Sequence, residues 1–303
     1  MRHRREIVGA RDNSTVRSQH STQPYRVSPV WQITLFGRVA VHAAEREVVL
    51  SSRKAKALLA YLALAPSGRE TRDRLVRLLW SETDSAKARA SLRQLLHGLH
   101  KTFQAECLPG LSIDNSRVGL DKSAFFTDLD SAGASIDRGD PADAIASEPR
   151  ITDTLLSGCE DVDPCFGAWL TTKRECVRQN LIRKLEAQLC LKPRRAETVK
   201  RIAHALFQVD PTHETACQQV MCACVASGNI GGALAAYKQL WERLEQEYDV
   251  EPSKATQELI VAIRSGAHQP YVGDFDAVGQ NFAAGEQVIG PVNHLAVTGT
   301  VVT

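Results

Sequence analysis

From Trp31 the apolar positions alternate with more polar ones, Ile33 with Leu35, Val39 with Val41, Val48 with Leu50. A period of two, broken at Gly37 and at Ala43–Ala44, predicts three short antiparallel strands. The period then lengthens to that of a helix. Ser52 stands where it caps a helix whose inner face is Ala55, Leu58, Leu59 and Leu62, ending near Pro66-Ser67-Gly68. Thr71 caps a second helix with Leu75, Leu78 and Leu79 inside and Trp80 at its end. A polar turn, Ser81 to Ser85, leads to a third helix from Asp84 to Phe103, with Ala88, Leu92, Leu95, Leu96, Leu99 and Phe103 on one apolar face. Leu111 and Ile113, a turn at Asp114-Asn115-Ser116, then Val118 and Leu120 read as a hairpin with Arg117 near its tip.

Strands, three helices and a terminal hairpin form a winged helix-turn-helix, in which the third helix reads and the hairpin is the wing. The chemistry of the third helix bears on this. Opposite its apolar face stand Lys87, Ala90, Gln94, His97 and Lys101, flanked by Arg89, Ser91 and Arg93, with no carboxylate after Asp84. In a major groove Arg reads guanine, Gln reads adenine and Lys holds phosphate. A solvated, cation-rich helix face has the same composition, so context decides. Arg89, Arg93, Gln94 and His97 are the candidates for base or near-base contacts, Lys87 and Lys101 for phosphate. Arg117 is placed to reach an adjacent minor groove or its phosphates, and Arg53 or Lys54 to touch the backbone from the start of the first helix.

Beyond Leu120 the pattern is purely helical. Phe126 and Leu129 start a helix, Asp140-Pro141 another, and Glu148 to Asp163 is loop-like. Phe166, Leu170, Val177, Leu181, Leu185 and Leu189 mark one long amphipathic helix with Trp169 beside the stripe. Val199, Ile202, Ala203 and Leu206 mark the next. Asp210-Pro211 caps a helix stopped by Gly228, Leu234 to Tyr248 gives another, and Ser253 starts the last. Helices joined by short turns resemble tetratricopeptide packing, although the Asp-Pro and Glu-Pro marks lie 41 residues apart instead of the usual 34 or so.

Charge divides along the same line. Residues 31–122 hold 15 Lys/Arg against nine acids, whereas residues 123–266 hold 16 against 21. A basic front on an acidic back fits a polyanion-binding module joined to a protein-interacting one; drift in composition between two domains gives the same numbers. Residues 1–30 are polar, with six Arg and no period, and read as a disordered basic arm. The tail 267–303 has no Lys or Arg and reads as flexible.

Several classes are excluded. The longest apolar run, Ala57 to Ala65, is too short for a bilayer, and the N-terminus has no signal core, so a cytoplasmic protein without membrane contact is expected. The eight cysteines have no C-x2-C spacing, and Cys217 and Cys224, seven apart in an apolar helical pattern, suit free thiols packed as small hydrophobes. His97-x-x-His100 has no acidic partner nearby for a metal. A phosphate-binding Gly loop, an H-E-x-x-H pair and a nucleophile elbow are all missing. No catalytic activity and no cofactor are expected.

The blocks SRKAKALLAYLALAPSGRETRDRLVRLLW and SAKARASLRQLLHGLHKTF closely resemble the DNA-binding domain of SARP-type transcriptional regulators, the antibiotic regulatory protein family, over residues 31–122. The end of helix three departs from the family's Leu-Arg-Arg or Leu-Arg-Lys: it reads Leu99-His100-Lys101, replacing a permanent cation with a histidine. Residues 123–266 resemble the bacterial transcriptional activator domain that follows the winged helix in this family. The matching pieces are Phe166-x-x-Trp169-Leu170 with Arg174, Asp210-Pro211-x-x-Glu214, Ala233-Leu234-x-x-Tyr237, and Val250-Glu251-Pro252-Ser253 with Thr256 and Leu259.

The resemblance implies a mainly α protein: a response-regulator-type winged helix with a small α+β part, then an all-α tetratricopeptide-like domain. It further implies an activator on double-stranded promoter DNA with direct repeats, with protomers side by side as a homo-oligomer and RNA polymerase as partner. The alternative is a helical interaction scaffold whose winged helix does not read DNA.

Overall fold

A computed structural model of the protein describes residues 31–50, 52–191 and 196–266. The expectations for the arm, residues 1–30, and for the tail, residues 267–303, lie outside these.

The three expected strands are β1 (Trp31–Thr34), β2 (Ala40–Ala43) and β3 (Arg46–Val48), antiparallel with Ile33 opposite Val41. Their inward residues, Trp31, Ile33, Val41 and Val48, are buried as the period of two requires. Ser52 caps α1 (Arg53–Leu64) by accepting the Ala55 N–H, and Thr71 caps α2 (Arg72–Leu79) by accepting that of Arg74. The third helix, α3 (Ser85–Ala105), begins on Asp84, whose carboxylate takes the N–H groups of Ala86 and Lys87. Its buried face is Ala88, Leu92, Leu96, Leu99 and Phe103, with Leu95 half-buried. Trp31 meets Phe103 edge-on, with ring centroids 5.3 Å apart, and donates its indole N–H to the Pro109 carbonyl.

The wing holds one more strand than its hairpin. The strands β5 (Leu111–Ile113) and β6 (Arg117–Leu120) form the expected pair, and the residues before α2, β4 (Arg69–Thr71), add to the far edge of β6. Gly68 makes this approach feasible. Its φ is +64°, and a Cβ would lie 2.4 Å from the Leu120 carbonyl oxygen.

After Leu120 the helical expectation needs one correction. Phe126 does not start a helix: Phe125–Thr127 forms β7, which pairs parallel to β1 and completes a sheet of order β3-β2-β1-β7. Isolated from the sheet, two Phe residues before an Asp-Leu pair fit either period; the free edge of β1 selects the strand. The helix α4 (Asp128–Asp137) then starts from Thr127 through a capping box with Asp130. Asp128 turns back to accept the N–H groups of Leu35 and Phe36, and burial raises its pKa against those bonds.

The remaining helices are α5 (Asp143–Ser147), α6 (Pro164–Cys190), α7 (Ala196–Val209), α8 (Glu214–Ala226), α9 (Ile230–Tyr248) and α10 (Lys254–Arg264), and from α6 to α9 each packs on the next. The segment expected to be a loop contains a 3-10 turn, Ile151–Thr154, and bridges Phe36 to Leu155 and Arg38 to Ser157. A second correction concerns α8. Asp210 accepts from Thr212 in the preceding turn, and the cap is His213, whose Nδ1 accepts the Ala216 N–H while Nε2 lies 3.2 Å from Glu186. An acceptor at Nδ1 puts the proton of the neutral ring on Nε2, facing that carboxylate.

The winged helix is joined to the helical domain through α6. The Tyr61 and Trp169 rings lie 4.8 Å apart, and Lys173 donates to the carbonyl of Leu64 at the end of α1. Asp163, which caps α6 through Cys165, also accepts the backbone N–H and hydroxyl of Ser81 in the turn before α3. Arg53 pairs with Asp161 at 2.6 Å.

Candidate nucleic-acid interface

With one face of α3 committed to the core, helical geometry leaves the other outside. Lys87, Arg89, Arg93, Gln94, His97 and Lys101 are all exposed. Arg89 lies 3.6 Å from Asp73 of α2, with both side chains largely in solvent, a geometry in which screening leaves little attraction. The side chains of Lys87, Arg93, Gln94, His97 and Lys101 make no hydrogen bond or ion pair with the described residues. A row of four cations, one amide and one imidazole therefore stands unpartnered or weakly partnered along one helix.

Arg117, at the start of β6, is exposed as the hairpin pattern predicted. The turn before it is stiffened by Asp114, which accepts the N–H groups of Ser116 and Arg117 and the Ser116 hydroxyl. Those bonds hold the Asp114 carboxyl below the usual range.

The two cations expected at the start of α1 have other uses. Lys54 donates to the Leu79 carbonyl at the end of α2 and lies 4.7 Å from the centre of the Trp80 ring. Burial lowers its pKa, with the charge of Asp163 acting in the opposite direction. The ammonium expected to touch the DNA backbone thus also holds α1 to α2. Arg53 is ion-paired to Asp161 and belongs to the joint between the domains.

A groove of about 440 Å³ runs between the wing tip and α3. Its walls are Arg89, Leu92 and Arg93 of α3, Thr71, Arg72, Asp73 and Val76 around the start of α2, and Asn115 and Ser116 of the wing. The Arg72 N–H donates to the Ser116 carbonyl, which ties the wing to α2. Sequence periodicity missed Arg72, because a residue next to a helix cap has no partner in its own element. The one available signal was its place directly after Thr71 in a stretch with Arg74 and Arg77.

Among the described residues no group of three His, Cys, Asp or Glu side chains is arranged to hold a metal ion, and no helix is long and apolar enough to cross a membrane. Cys217 is buried and its thiol is pushed up to about 12, which makes it a packing group.

A winged helix whose wing and third helix flank a cationic groove is thus joined to a stack of packed helices. Residues 120–264 match the bacterial transcriptional activator domain family. The match begins at the end of the wing, directly after the winged helix. Among solved structures the chain is similar to Mycobacterium tuberculosis EmbR in complex with a low-affinity phosphopeptide, at 21% identity and a TM-score of 0.55, covering 84% of this chain and 69% of that one. This likeness is one of fold. No curated protein matches the chain.

Proposed function

We propose that the protein is a sequence-specific DNA-binding transcriptional activator that places α3 in the major groove. The observation that carries the reading is the outer face of α3: cations, an amide and an imidazole, exposed, with no carboxylate among them and only Arg89 loosely paired. Arg93, Gln94, Arg89 and His97 read bases or their near surroundings, Lys87 and Lys101 hold phosphates, and Arg117 reaches the adjacent minor groove or its backbone. The match of residues 120–264 to an activator-domain family supports recruitment of RNA polymerase and binding of protomers side by side on promoter repeats.

The test is a fluorescence-anisotropy titration of the full chain on fragments of its own upstream DNA, repeated across salt concentrations. A subset of fragments is bound selectively at moderate salt, with log affinity falling with log salt by about 0.9 per phosphate neutralised. Replacing Arg93→Ala together with Gln94→Ala removes the preference without lowering the melting temperature. Equal binding of all fragments, or none, would instead favour a scaffold whose winged helix does not read DNA.

A further inference from the structure

We infer that the groove between the wing tip and α3 is a slot for one DNA backbone phosphate, and that Arg72 is the residue that grips it. This rests on the DNA-binding reading above and adds a residue and a chemical role to it. Arg72 is half-buried, and its Nε is closed off from solvent without a hydrogen-bond partner. A buried guanidinium N–H without a partner is a rarity, and a small turn of the side chain presents it to an anion in the groove. The groove it borders holds two more guanidinium groups, Arg89 and Arg93, against a single carboxylate, Asp73. Asn115 on the opposite wall offers an amide that no described residue engages.

An anion satisfies this surplus, and the planar fork of an arginine fits the oxygens of a phosphate. A backbone phosphate is favoured over a base edge by position. Arg72 opens α2, the helix that crosses the duplex backbone in this kind of fold, and its N–H bond to Ser116 sets it between the two elements applied to the duplex. The contact therefore adds affinity and register and carries no sequence information.

The experiment compares wild type, Arg72→Ala and Arg72→Lys of the full chain on a preferred duplex and on scrambled controls. Arg72→Ala weakens binding about tenfold on all duplexes alike, and the salt slope falls by about 0.9, the signature of one lost phosphate contact. Arg72→Lys recovers part of both. The main-chain bond to Ser116 survives either substitution, so melting temperatures stay within a few degrees.

A scan of duplexes with single neutral methylphosphonates locates the phosphate. One position weakens wild type but leaves Arg72→Ala unaffected, a coupling that a purely structural arginine does not produce. An unchanged salt slope, or methylphosphonate effects that simply add to the substitution, would overturn the inference while leaving DNA binding intact. A wild-type chain that binds no duplex at all would overturn the underlying reading and this inference together.

Discussion

The carboxylate of Asp163 accepts both the backbone N–H of Ser81, at 2.8 Å, and its hydroxyl, at 2.7 Å. The same carboxylate caps α6, so one nearly buried group ends the α2–α3 turn on one side and starts the helical domain on the other. Ser81→Ala removes one charge-assisted hydrogen bond and costs about 1 kcal/mol, while Asp163→Ala also removes the cap and orphans the Ser81 N–H, for about 3 kcal/mol. In denaturant unfolding the double variant shows a coupling of about 1 kcal/mol. Strictly additive costs would mean that the two groups do not interact in solution.

Trp169 connects the domains through its ring, 4.8 Å from Tyr61 and 5.1 Å from Phe166. Trp169→Ala opens a space between α1 and α6, and we expect a loss of about 2 kcal/mol, less than for a fully buried tryptophan. Thermal unfolding of the variant then broadens as the winged helix and helical domain begin to melt apart. A sharp transition at the wild-type temperature would show the stack to be dispensable.

Glu214 joins two stretches of sequence that lie far apart in the chain. Its carboxylate accepts the N–H and hydroxyl of Ser253 and the hydroxyl of Thr256, so it supplies the start of α10 with a cap that the Ser253 side chain does not provide. Glu214→Ala costs about 2 kcal/mol, since hydrogen bonds to a charged group are among the stronger ones. Hydrogen exchange of α10 amides accelerates while exchange in α3 is unchanged.

His204 on α7 has its pKa lowered, first by burial and second by the charge of Lys200 one turn away. The folded chain resists a proton that the unfolded chain accepts. The resulting stability is fully present above the ordinary histidine value of 6.5 and is lost as pH falls through the lowered folded value. Melting temperature therefore declines on acidification from pH about 7.5 to about 5.5, and His204→Gln flattens that decline. An identical slope in the variant would assign the effect to other groups.

Local pattern determined much of this molecule. Alternation at Ile33 and Val41, the caps at Ser52, Thr71 and Asp84, and the apolar stripe from Ala88 to Phe103 each depend on residues within one element. Because the stripe must be buried, the opposite face of α3 had to be exposed, and the candidate contacts on it could be named from helical phase alone. The hairpin was legible for the same reason: Asp114 closes its turn through neighbours two and three residues away.

Whatever required a partner distant in the chain was decided by tertiary structure. Phe125–Thr127 became a strand because β1 offered an open edge, and Lys54 was drawn to the Leu79 carbonyl and the Trp80 ring. His213 took over the cap expected of Asp210-Pro211, and Arg72 gained its place beside Arg89 and Arg93 only when the wing folded against α2. Periodicity encodes which face of an element is apolar, and so it fixes what each helix hides. It does not encode which polar groups from other elements will meet there, because that depends on how the hidden faces pack.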